Sequence, residues 1–489
     1  MRRNRQDNFY YLIYLFYGFL LGQILYNFII GSVNLEYDGS YYLFESLKIK
    51  YYLLNGEYNL AFQNIFQTTA GKPFFPMYIF TVFLFLTDSL YTNVVIYNAF
   101  LLCIVILSVY LLKLDIRRSI LAILLIFSNS YFLYYGHSLL FENLSASLFA
   151  LLIVLSKNLI SPFSNTRMIL IGVLGGVLLL IKQNMIIYFI IVPMVSIYLS
   201  SHKLYFVKHW SLILIIAFAM SFSLYFSGFD SMYKLVMGLW SGGGSTGGDI
   251  LYNRFVYLAL FMLSTMSLFP LLLATYKHNQ YKNNFYYNIF LFGFLALFFI
   301  DITADFTTRR LNIFIPVIVF WLVSSLDFKR DYRYILTSIL LSSASVYVYS
   351  NYTVLEKYTH ISAIPQPNVN FQPKDFLIDI NIQNGDKVLF ATITNTINPT
   401  TLLPFSLNKD GSHKFIVSSP FFSKNEELIE LIEKYNIVIS SEKNPFSNSH
   451  PFFEKFEIIN NYVKNKNNGF KKIHINNNNN TIHVMTRKL

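Results

Sequence analysis

An acidic residue in the segment Asn34–Tyr42 (NLEYDGSYY) is the first candidate for proton-transfer chemistry. Asp38 follows a long apolar run, so its carboxylate is expected at a membrane surface, where partial loss of water can tune its pKa for proton abstraction. Glu36 and three tyrosines, among them Tyr41, lie within four residues of it. The alternative is structural, because Asp38 can equally cap a helix that begins at Gly39.

A second acidic residue, Glu142, opens a later apolar run and follows His137 by five residues. A carboxylate at the end of a membrane span costs free energy, and such carboxylates usually serve a function. The alternative is an acid that the helix dipole favours at a helix N-terminus. Asp38 and Glu142 are therefore the two candidate catalytic residues.

Four basic residues at the ends of apolar runs are suited to hold an anion. Lys72 lies in the segment GKPFFP, Lys182 interrupts a long apolar stretch, and Arg309 and Arg310 open another run. Arginine binds phosphate through two parallel hydrogen bonds, and a lysine at headgroup height can hold a phosphate. Taken alone, Lys72 is better explained by a lysine that snorkels to the interface. The joint placement predicts a site for a lipid-borne phosphate at one membrane surface.

The composition requires that most of the chain faces lipid. Of the 489 residues, 54% are hydrophobic and 13% are charged, whereas an ordinary globular chain is about 25% charged. Charged residues become denser after residue 350, so we predict a membrane body over residues 1–350 and a polar domain over residues 351–489. The net charge of +12 comes largely from short loops, and no nucleic-acid partner is predicted. The single cysteine excludes an intrachain disulfide and a cysteine-based metal site.

Apolar runs predict about eleven transmembrane helices, since a spanning helix needs about 20 apolar residues within a range of about 17–25. The predicted spans are residues 9–31, 92–112, 118–136, 141–157, 168–182, 184–200, 211–227, 255–275, 285–301, 311–326 and 334–350. The first run is too long for a signal-peptide core and lacks a small-residue cleavage site. It is therefore expected to remain as an anchor.

The basic residues predict the topology, because cytoplasmic loops carry an excess of lysine and arginine. With the N-terminus in the cytoplasm, the cytoplasmic side carries Arg2, Arg3, Arg5, Lys113, Arg117, Arg118, Lys157, Arg167, Lys203, Lys208, Lys277, Lys282, Lys329, Arg330 and Arg333. The opposite loops carry fewer, namely Lys48, Lys50, Lys72, Lys234, Arg254, Arg309 and Arg310. An odd number of spans then places the C-terminal domain outside the cytoplasm.

The first outer loop, residues 32–90, is long, and long loops usually have a function. Within it, residues 74–87 are apolar but too few for an ordinary span. We predict a re-entrant or interfacial helix on the outer side, because a full crossing would invert the charge pattern. A short tilted span, with another span miscounted, is the alternative.

The C-terminal region has the pattern of a small α/β domain. Strands are predicted at residues 387–392 and 436–440, an amphipathic helix at 425–435, and a closing hairpin from 470–475 and 481–485. No catalytic constellation stands out in this region.

In their order along residues 9–350, these features resemble the GT-C superfamily of glycosyltransferases, of the glycosyltransferase family 39 or protein O-mannosyltransferase-like type. That group includes the bacterial aminoarabinose transferases of lipid A. The matching elements are Asp38 after the first span, Lys72 and Pro73, Glu142 at the start of a later span, a glycine-rich helix that ends in Lys182 and Gln183, and Arg309 or Arg310 before Pro316.

The resemblance implies an inverting glycosyltransferase in the plasma or inner membrane. It would move a sugar from a polyprenyl-phosphate donor, such as dolichyl or undecaprenyl phosphate, to a glycan, lipid or protein acceptor at the outer face. Asp38 is implied as the general base and Glu142 as a second acid. The residues implied in binding substrate or the lipid phosphate are Lys72, Lys182, Arg309, Arg310 and Tyr41.

The chain departs from the family at one position. The first loop of the family often has two adjacent acids, and the second position here is Gly39. No cofactor is predicted, and a divalent metal between Asp38 and Glu142 is in doubt, because no metal-ligand spacing is visible.

Two other functions stay open. A flippase for lipid-linked glycans, or another transporter, predicts a water-filled cavity near the bilayer midplane. A non-catalytic membrane scaffold predicts that Asp38 and Glu142 do not converge.

Overall fold

The structure is a computed structural model. It describes residues 2–30, 37–63, 65, 68–69, 72–137, 141–157, 165–182, 185–200, 203–227, 258–259, 261–277, 284–300, 311–350, 380–391, 402–419, 425–441, 453–465, 471–477 and 480–486.

Helices make up nearly all of the described part of residues 2–350. They are α1 (Arg2–Ile30), α2 (Tyr37–Leu54), α3 (Tyr58–Phe62), α4 (Phe75–Leu84), α5 (Leu90–Leu111), α6 (Ile116–Phe127), α7 (Ser130–His137), α8 (Glu142–Lys157), α9 (Asn165–Ile181), α10 (Met185–Leu199) and α11 (Lys203–Ser227), followed by Phe269–Lys277, Phe285–Ile300, Phe314–Ser325 and Tyr332–Ser350. Within the described residues, Leu90–Leu111 and Lys203–Phe222 are long and apolar enough to cross a membrane by themselves. Six shorter apolar helices accompany them.

One predicted span, residues 118–136, is divided into two helices. α6 ends at Phe127 and α7 begins at Ser130. Asn129 lies at the break, where its side-chain oxygen accepts a hydrogen bond from the Tyr131 backbone at 3.0 Å and its amide nitrogen donates to the Ser264 carbonyl at 3.1 Å. A side chain that hydrogen-bonds nearby backbone groups in this way competes with the helix, so the chain bends here.

Helices α2 and α4 of the first loop pack on each other at one end of the helical bundle. α2 packs on α4 through hydrogen bonds from Ser46 Oγ to the Met77 carbonyl and from Thr81 Oγ1 to the Ser46 carbonyl, both 3.1 Å. Lys50 Nζ donates to the Leu84 carbonyl at 2.7 Å and so satisfies the last turn of α4. α4 has 10 residues, which is half of what a spanning helix needs. Its length agrees with the re-entrant interpretation, which stays a prediction.

Three glycines allow α9 to pack closely on its neighbours. A Cβ at Gly172 would lie 2.8 Å from Ile216 Cβ, and one at Gly176 would lie 2.8 Å from Met220 Cβ and 3.1 Å from the Ala217 carbonyl. Both contacts are with α11, which makes the most extensive helix–helix contact of the described residues with α9. Small residues let helix backbones approach in this way within membranes.

Gly176→Ala is expected to lower the stability of the protein by about 1–3 kcal/mol, because the added methyl group overpacks this interface. Gly22→Ala in α1 is the matched control, since a Cβ at Gly22 meets no atom within 4 Å. There the substitution is expected to be neutral or stabilising, because alanine favours the helix. Thermal unfolding of the two variants in one detergent measures the difference. Equal melting temperatures would contradict the packing role of Gly176.

The first loop contains the short hairpin β1 (Thr68–Thr69) and β2 (Lys72–Pro73). The C-terminal region contains the strands β3 (Lys387–Phe390), β4 (Ile416–Ser418), β5 (Ile437–Ser441), β6 (Lys471–Asn477) and β7 (Asn480–Thr486). These five strands form one sheet in the order β4-β3-β5-β7-β6. β3 runs parallel to β4 and β5. β7 runs antiparallel to β5 on one side and to β6 on the other. The predicted strands and hairpin are therefore present.

Helices cover one face of this sheet. They are Leu428–Glu433 and Phe453–Lys464, and the first of them lies within the predicted segment 425–435. Leu389 packs with the helical residues Leu428 and Ile459, whereas Val388 and Phe390 belong to the core of the opposite face. This alternation follows from the two-residue period of a strand.

The C-terminal region contacts the first loop. The rings of Phe44 in α2 and His413 lie 5.9 Å apart, and α2 also packs on the turn Leu403–Ser406. The first loop and this turn therefore lie at the same end of the helical bundle.

Candidate functional site

Glu142 and Lys182 form an ion pair at this end of the bundle. Lys182 Nζ lies 3.0 Å from Glu142 Oε1, and the two side chains are 27% and 4% exposed. Glu142 is the first residue of α8, and Lys182 follows the last residue of α9. Each charge suits its helix end, since a helix dipole favours an anion at the N-terminus and a cation at the C-terminus. The pair brings together two of the residues that the sequence indicates.

In this pair, the positive charge of Lys182 lies next to the buried carboxylate of Glu142. A carboxylate as buried as Glu142 needs a partner, because an unpaired buried charge is strongly destabilising. The Lys182 side chain is 27% exposed, so part of it reaches the surface beside the buried carboxylate.

A buried amide pair lies next to Glu142. Asn143 Nδ2 donates to the Phe132 carbonyl at 2.7 Å, and Asn312 Nδ2 donates to Asn143 Oδ1 at 3.1 Å. Both asparagines are fully buried. These bonds tie the start of α8 to α7 and to the residues that precede helix Phe314–Ser325, and so fix the backbone that carries Glu142.

Aromatic rings connect α2 to Glu142. The ring of Phe141 lies 4.8 Å from that of Tyr42 in α2 and 6.5 Å from that of Tyr97 in α5. Tyr97 is fully buried, and among the described residues its hydroxyl has no hydrogen-bond partner. The rings of Tyr42, Phe141 and Tyr97 therefore form a continuous aromatic contact from α2 to α5, next to the start of α8.

Sequence reasoning missed Tyr97, Asn143 and Asn312. Asn143 and Asn312 did carry a signal, since each is a polar residue at the end of an apolar run. Asn143 directly follows Glu142, and Asn312 lies two residues after Arg310. Tyr97 carried none, because tyrosine is common in every part of this chain.

The other predicted residues are placed less fully. Asp38 lies in the first turn of α2 and Lys72 in β2, but the side chains of both lie outside the described residues. Arg309, Arg310 and Gln183 lie outside them altogether. Tyr41 is one turn after Asp38 on α2, and its ring lies 6.3 Å from that of Tyr42. Tyr41 thus belongs to the helix that approaches Phe141.

The described residues contain no cluster of three histidine, cysteine, aspartate or glutamate side chains able to hold a metal ion.

Comparison with known proteins identifies the fold. No family model and no curated protein matches the chain. The crystal structure of ArnT from Cupriavidus metallidurans bound to undecaprenyl phosphate matches with a TM-score of 0.63 and 10% identity, over 97% of this chain and 98% of that chain. This chain has the fold of that ArnT structure. The apo structure of ArnT from the same organism matches with the same TM-score and identity, over 97% of each chain.

The ArnT-like fold confirms the predicted resemblance to GT-C proteins and the predicted class of polytopic helical membrane protein. The number of eleven spans, the domain boundary at residue 350 and the orientation of the termini stay predictions.

Proposed function

We propose that this protein is an inverting glycosyltransferase of the plasma or inner membrane. It moves a sugar from a polyprenyl-phosphate donor to a glycan, lipid or protein acceptor at the outer face. The observation that carries the proposal is the Glu142–Lys182 pair, which lies at the same end of an ArnT-like bundle as α2, the helix whose first turn contains Asp38. The ArnT structure that contains undecaprenyl phosphate supports the class of donor.

The proposed residues act on opposite sides of the reacting carbon. The Asp38 carboxylate takes the proton of an acceptor hydroxyl, whose oxygen then bonds to the anomeric carbon of the sugar. The bond between that carbon and the phosphate oxygen breaks, and its electron pair stays on the phosphate. The configuration inverts because the acceptor attacks opposite the departing phosphate.

Negative charge grows on the departing lipid phosphate, and fixed cations stabilise it. Lys182 is proposed for this role, together with Lys72 and Arg309 or Arg310. Glu142 is proposed to act through Lys182, since their 3.0 Å contact holds the ammonium in place. Tyr41 is proposed to contact the substrate beside Asp38.

The contact between α2 and the C-terminal region supports the proposed topology. Because Phe44 and His413 are in contact, an even number of crossings must separate the first loop from the C-terminal sheet. The ten predicted spans from residue 92 to residue 350 satisfy this condition. A full crossing by α4 would make the number odd, which supports the proposal that α4 is re-entrant and that the sheet lies outside the cytoplasm.

Transfer in proteoliposomes tests the function. The full chain is mixed with undecaprenyl phosphate that carries a radiolabelled sugar, and with a glycan and glycolipid extract of the cell envelope. We expect label to leave the donor and enter the extract while free undecaprenyl phosphate accumulates. A transporter predicts that the label stays on the lipid and only changes leaflet, and that result would refute the proposal.

A further inference from the structure

A tight hairpin of the C-terminal region, residues 407–413, is held in shape by its own hydrogen bonds. Its two ends are joined by an antiparallel bridge, and the Gly411 backbone nitrogen donates to the Asn408 carbonyl at 3.0 Å. The Asp410 carboxylate accepts from the Ser412 backbone at 2.9 Å and from the Ser412 hydroxyl at 2.6 Å. Gly411 has a φ of +81°, which glycine adopts without strain. The hairpin therefore presents a fixed backbone to its neighbours.

This hairpin lies directly against α2. Gly411 is buried, although the residues before and after it are exposed. A Cβ at Gly411 would lie 3.2 Å from the Tyr52 ring and 3.7 Å from Tyr51 Cβ, so the backbone of the hairpin touches the helix. The ring of His413 lies 5.9 Å from that of Phe44, which is 6% exposed. The contact therefore extends over about two turns of α2.

Helix α4 holds α2 from the other side. Ser46 and Lys50 of α2 make the hydrogen bonds to α4, whereas Phe44 and Tyr52 contact the hairpin. Each of the first two lies two positions from one of the second two. Residues two positions apart in an α-helix point about 200° apart, which is to nearly opposite faces. α2 is therefore held between α4 and the C-terminal hairpin.

We propose that the 407–413 hairpin is a positioning element, which holds the proposed base in place through α2. The assignment rests on the proposed glycosyltransferase function and gives the C-terminal region a part in it. Asp38 precedes Phe44 by six residues, which is about 9 Å along the helix axis, so the hairpin acts through the helix and not on the substrate. A misplacement of about 1 Å can cost about 10²-fold in rate. A helix whose first turn carries the base is therefore sensitive to the loss of one of its two supports.

Gly411→Leu tests the proposal, because the new side chain has no room between the hairpin and α2. Gly385→Leu is the matched control, since Gly385 has a similar φ of +89° but a Cβ there meets no atom within 4 Å. Both variants carry the same kind of backbone strain. We expect Gly411→Leu to lower kcat per folded molecule about 10–10²-fold with the donor KM unchanged. The control is expected to keep the kcat of the unmodified protein. Transfer in proteoliposomes and thermal unfolding are measured for both.

A cross-link tests the same contact without a bulky side chain. In a Cys103→Ser background, Tyr51→Cys and Gly411→Cys introduce two thiols whose Cβ atoms would be 3.7 Å apart. Disulfides have Cβ–Cβ distances of about 3.5–4.5 Å, so we expect this one to form on oxidation of the full chain in membranes. Because the hairpin is proposed to stay on α2, we expect the oxidised protein to transfer sugar at least as fast as the reduced protein.

Three outcomes overturn the proposal. Equal kcat of the two leucine variants would show that the contact serves stability alone. Loss of transfer on oxidation, reversed by a reductant, would show that the hairpin must leave α2 during turnover. A disulfide that does not form would show that the hairpin does not lie on α2. Formation of the cross-link is measured without transfer, and kcat is compared with that of the unmodified protein. Absence of transfer by the unmodified protein contradicts the proposed function instead.

Discussion

Asp38→Asn is expected to reduce sugar transfer by about 10²–10⁴-fold, because the acceptor hydroxyl loses the group that takes its proton. Binding of undecaprenyl phosphate is expected to stay unchanged, since Asp38 is proposed to face the acceptor and not the phosphate. The measurement is kcat for transfer of radiolabelled sugar in proteoliposomes, with donor binding measured in parallel. Transfer at the rate of the unmodified protein would exclude Asp38 as the base.

The choice of asparagine separates the two interpretations of Asp38. Asparagine caps helices as well as aspartate does, so a residue that only starts α2 tolerates the change. The structure places Asp38 within the first turn of α2, which begins at Tyr37. Glu57→Gln is the matched control, because it removes an exposed carboxylate from the same loop. Its kcat is expected to equal that of the unmodified protein.

Lys182→Met is expected to impair both folding and transfer. Glu142 is 4% exposed, and removal of one partner of a buried ion pair costs about 3 kcal/mol. Transfer by the folded fraction is expected to fall by about 10²–10³-fold, since one fixed donor to the departing phosphate is lost. Thermal unfolding and kcat per folded molecule measure the two effects separately.

The double variant Glu142→Gln/Lys182→Met separates stability from chemistry. Removal of both charges leaves no unpaired buried ion, so most of the lost stability is expected to return. Transfer is expected to stay low, because the cation is still absent. Recovery of transfer together with stability would show that the pair is only structural.

A second ion pair provides the control for this experiment. Arg330 and Asp331 are 2.9 Å apart, and the aspartate is 1% exposed while the arginine is 40% exposed. This pair lies between the helices Phe314–Ser325 and Tyr332–Ser350, away from Glu142. Arg330→Met is expected to lower the melting temperature and to leave kcat per folded molecule unchanged.

Local sequence patterns determined most of the secondary structure. Long apolar runs can be satisfied in lipid only as helices, because a helix bonds its own backbone groups internally. In the described residues, the predicted spans at 92–112, 141–157 and 184–200 accordingly appear as helices Leu90–Leu111, Glu142–Lys157 and Met185–Leu199. The hairpin β6–β7 was equally local, since its two strands are only two residues apart in the sequence. The break at Asn129 was not predicted, and only part of it is local, since the side chain accepts from the Tyr131 backbone two residues later but donates to the carbonyl of Ser264, 135 residues later.

The sequence by itself also determined which residue types are available for the candidate site. The distribution of basic residues further predicted the end of the bundle at which that site lies. Only the tertiary structure decided which of them meet. Glu142 and Lys182 are 40 residues apart, and Asn143 and Asn312 are 169 residues apart. Helical periodicity sets the face on which a residue lies but not the helix that this face contacts. That choice depends on how the helices pack, as at Gly172 and Gly176, and it is made by the whole bundle together.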